Sequence, residues 1–147
     1  MSVRVTRTAQ ASWQGDVAQG GGRIGVGSGA YEGPFTLKAR VEEVERSTNP
    51  EELIGAAHAG CFTMSLANLL SGAGHPPADL RTTAQVRLEQ LQNGFSITRV
   101  ELQTVGEVPG IDAHEFATLA QQAKDTCPVS RALAGTEISL EARLASS

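Results

Sequence analysis

The chain has 147 residues, 40% hydrophobic and 19% charged, which is enough to bury a core within a single domain over residues 1–147 without disulfide staples. Its formal net charge of −4, with arginines and lysines scattered rather than clustered, excludes a phosphate-backbone partner, so no nucleic acid is expected. The opening Met1–Arg7 has no apolar run or small-residue cleavage site, so a cytoplasmic protein is expected, where a disulfide is more often catalytic than structural.

Val3, Val5, Ala9, Ala11 and Trp13 share one parity and predict a half-buried strand, closed by a turn at Gly15-Asp16. Gly20-Gly21-Gly22 marks a flexible hairpin before a short strand at Ile24 and Val26. A phosphate loop there would need a Lys-Ser/Thr ending, which is missing. After Gly33-Pro34, the alternation of Phe35 to Val41 predicts a third strand and completes a meander.

Asn49, Pro50, Glu51 and Glu52 predict a helix start. Asn49 caps it, Pro50 fits the first position and the two acids suit the positive end of the dipole. The helix is expected to run to about Ser71, ahead of Gly72, Gly74 and Pro76-Pro77. Residues 53–70 carry no formal charge and approach the roughly 18-residue length of a membrane span. His58, Thr63, Ser65, Asn68 and the Ala/Gly content argue instead for a core helix, so no membrane is expected. Its apolar residues cover nearly all faces, which predicts burial all round, with a subunit interface supplying part of the cover.

Thr82, Ala84, Val86 and Leu88 alternate into a hairpin at Asn93-Gly94, with Phe95 and Ile97 opening the return strand. Pro109-Gly110 ends the hairpin and Asp112 caps a second helix reaching Cys127, after which Pro128 restarts a short one. Ile138, Leu140, Ala142 and Leu144 form a last strand. Strands, long helix, hairpin, helix and strand indicate an α+β domain.

Taken alone, Cys61 on an apolar helix reads as an inert core thiol, and His58 as a packed helix residue with one hydrogen bond. The wider pattern reverses the first reading. Thr48 to Phe62, with Asn49-Pro50-Glu51-Glu52 and Cys61, and Cys127-Pro128-Val129-Ser130 together resemble the OsmC/Ohr family of thiol peroxidases. Trp13-Gln14-Gly15-Asp16, Asn93-Gly94-Phe95 and Val108 to Asp112 extend the resemblance over the chain, in the form of the OsmC branch.

The resemblance implies antiparallel sheets around a long buried central helix, in an intertwined homodimer whose interface holds the active site. It implies a metal-free, cofactor-free reduction of organic hydroperoxides, and less efficiently of hydrogen peroxide. Cys61 would be the peroxidatic thiol, Cys127 the resolving thiol, and a dithiol of the lipoyl type the reductant. Glu51 and an arginine complete the site; position ahead of the helix favours Arg40, and the glycine pair favours Arg23 as the alternative. Leu53, Ile54, Phe62 and Phe116 are candidate walls for the alkyl group. Two other readings stand beside this one: a non-catalytic dimer binding hydrophobic ligands, and a thiol redox sensor.

The chemistry asks for the arginine. An ordinary Cys is only about 3% thiolate at pH 7. Lowering its pKa to ~6 raises the thiolate about thirtyfold, while intrinsic nucleophilicity falls roughly tenfold. Thiol activation alone therefore yields little, and the arginine must also stabilise charge on the breaking O–O bond.

Overall fold

The computed structural model describes residues 2–145. The chain divides into two compact units, Met1–Leu53 and Ile54–Ser147, with the boundary one turn inside the long helix.

In the first unit, β1 (Ala9–Gln14), β2 (Gly21–Val26) and β3 (Glu32–Phe35) form an antiparallel meander in that order. Gly22 lies opposite both Trp13 and Phe35, whose rings meet edge to face at 5.3 Å. A Cβ on Gly22 would stand 2.8 Å from the Phe35 ring and 3.0 Å from Trp13, so the glycine is a packing requirement rather than a flexible joint. The first predicted strand is shorter than expected: Val3 and Val5 lie outside β1 and are exposed.

The third predicted strand also stops early. After Phe35 the chain turns into a short helix, α1 (Leu37–Val41), because the Thr36 hydroxyl accepts the Ala39 N–H at 3.0 Å and caps it. Leu37, Lys38, Ala39 and Arg40 are all good helix formers, and their apparent alternation was helix-compatible spacing. Arg40 therefore projects from a helix, not a strand.

The long helix, α2 (Pro50–Gly72), starts where the cap residues predict, with the Asn49 side-chain oxygen accepting the Glu52 N–H at 2.7 Å. Within the second unit it buries one stripe, Gly55, His58, Phe62, Leu66 and Leu70, at three- and four-residue spacing. Ala56, Gly60, Met64 and Asn68 on the opposite side are exposed, Met64 to 76%. Burial all round is thus not reached within one chain.

That stripe packs on a second sheet of order β4-β5-β6 (Asp79–Leu91, Gly94–Glu107, Glu137–Leu144). Gly55 lets α2 approach closely, since a Cβ there would sit 3.3 Å from Val86. The hairpin β4–β5 turns at Gly94, whose φ of 115° requires glycine. The strand β6 joins β5 in parallel, because a helical crossover of α3 (Ala113–Thr126) and α4 (Pro128–Ala132) intervenes. Asp112 caps α3 through the Glu115 N–H at 2.7 Å. Val100, Leu102, Phe116, Ala120 and Ala123 complete the core, and Gly106 makes room for the Phe116 ring.

Candidate active site

Two constellations stand out, one in each unit. In the second unit, α2 presents Cys61 and the joint between α3 and α4 presents Cys127. Pro128 forbids its preceding residue an α conformation, so α3 breaks at Cys127, where φ is −57° and ψ is 127°. The residue ends one helix through its N–H to Ala123 O, at 2.9 Å, and opens the next by accepting the Arg131 N–H at 3.1 Å. Both thiols are free; Cys127 is fully buried, and its sulfur lies 2.9 Å from that of Cys61. A disulfide of about 2.05 Å would need the sulfurs to close by roughly 0.9 Å.

The two thiols are electrostatically unequal. Burial, followed by the hydrogen bond to Cys127, pushes Cys61 above its ordinary range, against smaller help from the Val129 N–H and Ser65. Burial opposes ionisation of Cys127 as well, but is outweighed by hydrogen bonds from Cys61, from the N–H and hydroxyl of Ser130, and from the Val129 N–H, so its pKa is lowered. In the chain alone, the two shifts run in opposite directions and make Cys127 the more acidic thiol of the pair. Behind Ser130 stands His58, wholly buried, with its Nε2 2.7 Å from the Ser130 Oγ.

In the first unit, Arg40 forms a bidentate pair with Glu51, Nε to Oε1 at 2.9 Å and Nη2 to Oε2 at 2.8 Å. The carboxylate side chain is only 8% exposed and the guanidinium side chain 36%. The hydrogen bond that Arg40 donates to Glu51 raises the Arg40 pKa further, burial opposes it, and the carboxylate charge adds to the rise. Asn49 braces this pair, its Nδ2 donating to Ala39 O at 3.1 Å and so tying α1 to the start of α2. Trp13, Val17, Phe35, Thr36, Leu37 and Pro50 line a groove of about 380 Å³ along which Arg40 lies.

The sequence-predicted residues pair within each unit. Cys61 meets Cys127, and Arg40 meets Glu51. Arg23 pairs instead with Glu32 at 2.7 Å, with both side chains more than half exposed. Leu53 and Ile54 are half-buried on α2, while Phe62 and Phe116 are spent on the core at 0% and 1% exposure. The groove beside Arg40 takes its apolar walls from Trp13, Phe35, Leu37 and Pro50, which sequence reading did not single out as walls. The Trp13–Gly22–Phe35 register was the missing signal, and it is visible only once the meander is paired. Among the described residues, no three His, Cys, Asp or Glu side chains converge as a metal site requires.

Comparison with known proteins places the chain in a family. The family profile described as "OsmC-like protein" matches residues 43–142. The chain is 44% identical over 145 residues to Peroxiredoxin OsmC of Escherichia coli, covering 98% of this chain and 100% of that protein. It is 33% identical over 105 residues to the organic hydroperoxide resistance protein OhrA of Bacillus subtilis, covering 69% and 72% of the two chains. The crystal structure of an organic hydroperoxide resistance protein from Elizabethkingia anophelis superposes with a TM-score of 0.76 at 26% identity over the full length of both chains. An OsmC-like protein from Mycoplasma pneumoniae shares the fold at a TM-score of 0.77 and 12% identity, over 98% of this chain and 100% of that one. A matched profile over two paired sulfurs and a near-full-length relative leave one assignment: this chain is a member of the OsmC family.

Proposed function

We propose that the protein is a two-cysteine peroxidase that reduces organic hydroperoxides, and hydrogen peroxide less efficiently. The observation that carries the reading is the 2.9 Å contact between two free thiols brought together from Cys61 and Cys127. The Cys61 thiolate attacks one peroxide oxygen, the O–O bond breaks, and the alkoxide leaves and takes up a proton as the alcohol. Cys61 is then a sulfenic acid. The Cys127 thiolate attacks the Cys61 sulfur, hydroxide leaves as water, and the disulfide closes. A dithiol of the lipoyl type returns both thiols and is itself oxidised to its disulfide. A reducing compartment suits such a cycle, and we place the enzyme in the cytoplasm.

The catalytic cation is Arg40, held in direction by Glu51. The groups that act on Cys61 within its own unit, Cys127, Val129 and Ser65, include no cation. A second copy of the chain resolves this. The exposed Ala56, Gly60 and Met64 side of α2 offers small residues over which another helix can approach closely, and a homodimer brings Arg40 of one chain to Cys61 of the other. The raised pKa of Cys61 in the single chain fits a thiol that awaits a cation from outside. The groove beside Arg40 then holds the alkyl group.

Wild type, Cys61→Ser and Cys127→Ser, each mixed with an alkyl hydroperoxide and dihydrolipoamide, test the cycle. Wild type should turn over, Cys61→Ser should be inert, and Cys127→Ser should stop after one equivalent. Undiminished turnover by Cys61→Ser would overturn the proposal.

A further inference from the structure

Glu51 holds the tip of the Arg40 side chain, and a different residue holds its root. Arg40 belongs to α1, a helix of five residues, too short to stand on its own hydrogen bonds. The Ala39–Arg40 peptide within it is fixed from both sides. Its N–H donates to Thr36 O at 3.2 Å, and its oxygen accepts from Asn49 Nδ2 at 3.1 Å. A carbonyl in the last turn of a helix has no partner inside that helix, and Ala39 is only 3% exposed. The Asn49 amide therefore supplies a bond whose loss leaves a buried acceptor unpaired.

The other end of the same amide is equally committed. Asn49 Oδ1 accepts the Glu52 N–H at 2.7 Å, at the residue that follows Glu51. A single planar group thus spans the peptide leading into Arg40 and the backbone beside Glu51. Its two neighbours are a carbonyl and an N–H, so the position asks for a donor and an acceptor together. Capping alone would be served as well by aspartate or serine. Aspartate has no donor, and serine carries a single oxygen one atom closer to the backbone.

We propose that Asn49 is a positioning residue for Arg40, setting the offset between α1 and the start of α2 at which the fork with Glu51 closes. Its consequence for the reaction rests on the role of Arg40 proposed above. The fork engages Arg40 Nε and Nη2, at 2.9 and 2.8 Å. With the root of the side chain held, the remaining N–H groups keep one direction along the groove that Trp13, Phe35 and Leu37 line. Without the brace, Glu51 still attracts the guanidinium, but α1 shifts beneath it and the free N–H groups lose their aim. Asn49 acts through Arg40 alone.

The test has two arms, both using Asn49→Ser and Asn49→Asp, which keep the cap of α2 and lose the donor to Ala39 O. The first reads position. The Arg40 Nε–H resonance of the nitrogen-15-labelled protein, identified by its absence in Arg40→Ala, reports how long the fork stays closed through its exchange with water. Both variants should speed that exchange about tenfold, the effect of losing one hydrogen bond to a buried carbonyl. Exchange within about twofold of wild type in either variant means that a cap alone suffices, and overturns the brace.

The second arm reads the reaction, as stopped-flow oxidation of Cys61 by tert-butyl hydroperoxide. Asn49→Ser should slow this step about tenfold in the wild-type background and less than about twofold when added to Arg40→Ala, since the group it positions is then gone. Equal slowing in both backgrounds means a merely structural role and overturns the proposal. An Arg40→Ala protein that oxidises Cys61 at the wild-type rate overturns the catalytic role of Arg40, and the exchange arm then still decides whether Asn49 positions it.

Discussion

Replacing Arg40 with lysine keeps the charge and removes the fork. Arg40 spends its Nε–H and one Nη2–H on Glu51, at 2.9 and 2.8 Å, and retains three N–H groups for the substrate side. A lysine has a single nitrogen, and pairing it with Glu51 turns it away from the breaking O–O bond. Removing one preorganised donor from developing oxyanion charge lowers kcat by about 10²–10³. The Arg40 side chain is 36% exposed in the single chain, and competing water puts the loss at the lower end, about a hundredfold, or about 2.7 kcal/mol of barrier. The assay is stopped-flow oxidation of the reduced enzyme by alkyl hydroperoxide, with disulfide closure followed separately. Arg40→Lys should slow the first step and spare the second, and Glu51→Gln should fall between it and wild type. An Arg40→Lys oxidation rate within about threefold of wild type would refute the assignment of Arg40 as the charge-stabilising group.

Three further outcomes follow from the geometry. Cys127→Ser should leave Cys61 unprotected, so excess peroxide carries it from sulfenic to sulfinic acid, which intact-mass measurement detects and which wild type resists. Leu37→Ala shortens the wall of the groove and should lower kcat/KM for cumene hydroperoxide about tenfold, at about 0.8 kcal/mol for each CH₂ left in water, while keeping hydrogen peroxide within about twofold. The buried His58 resists protonation in the fold, whereas an unfolded histidine titrates near pH 6.5. Below that pH the unfolded chain binds more protons, so the stability tied to His58 is whole above about 6.5 and is lost as pH falls toward the folded pKa. Urea midpoints between about pH 5 and 7 should therefore fall less steeply for His58→Gln than for wild type.

The helix starts were legible because they rest on local chemistry. Asn49 and Asp112 cap where their side chains and the following acids predict, and Pro128 breaks the chain at Cys127. The errors came from patterns that more than one structure satisfies. Leu37 to Val41 alternates as a strand would, but the Thr36 hydroxyl supplies a cap that settles the competition for a helix. Phe62 and Phe116 were expected as pocket walls, yet both are buried in the core, at 0% and 1% exposure. The thiol pair was recognisable from motif alone. Its unequal acidity was not, since that depends on Ser130 and Val129 donors that only the α3–α4 joint brings to the sulfurs. The partners of the two arginines were likewise not legible: Arg40 pairs with the buried Glu51 and Arg23 with the exposed Glu32.

The proposed sharing of the site between two chains is open to one decisive experiment. Arg40→Ala and Cys61→Ser proteins, each inactive alone, are unfolded together at equal concentration, refolded and assayed for hydroperoxide turnover. Random pairing makes about half of the dimers mixed, and in each mixed dimer one of two sites combines an intact Arg40 with an intact Cys61 from the other chain. Activity should return to about a quarter of that of wild type treated the same way. If the mixture forms mixed dimers but stays inactive, Arg40 serves the cysteine of its own chain and the two-chain site is wrong.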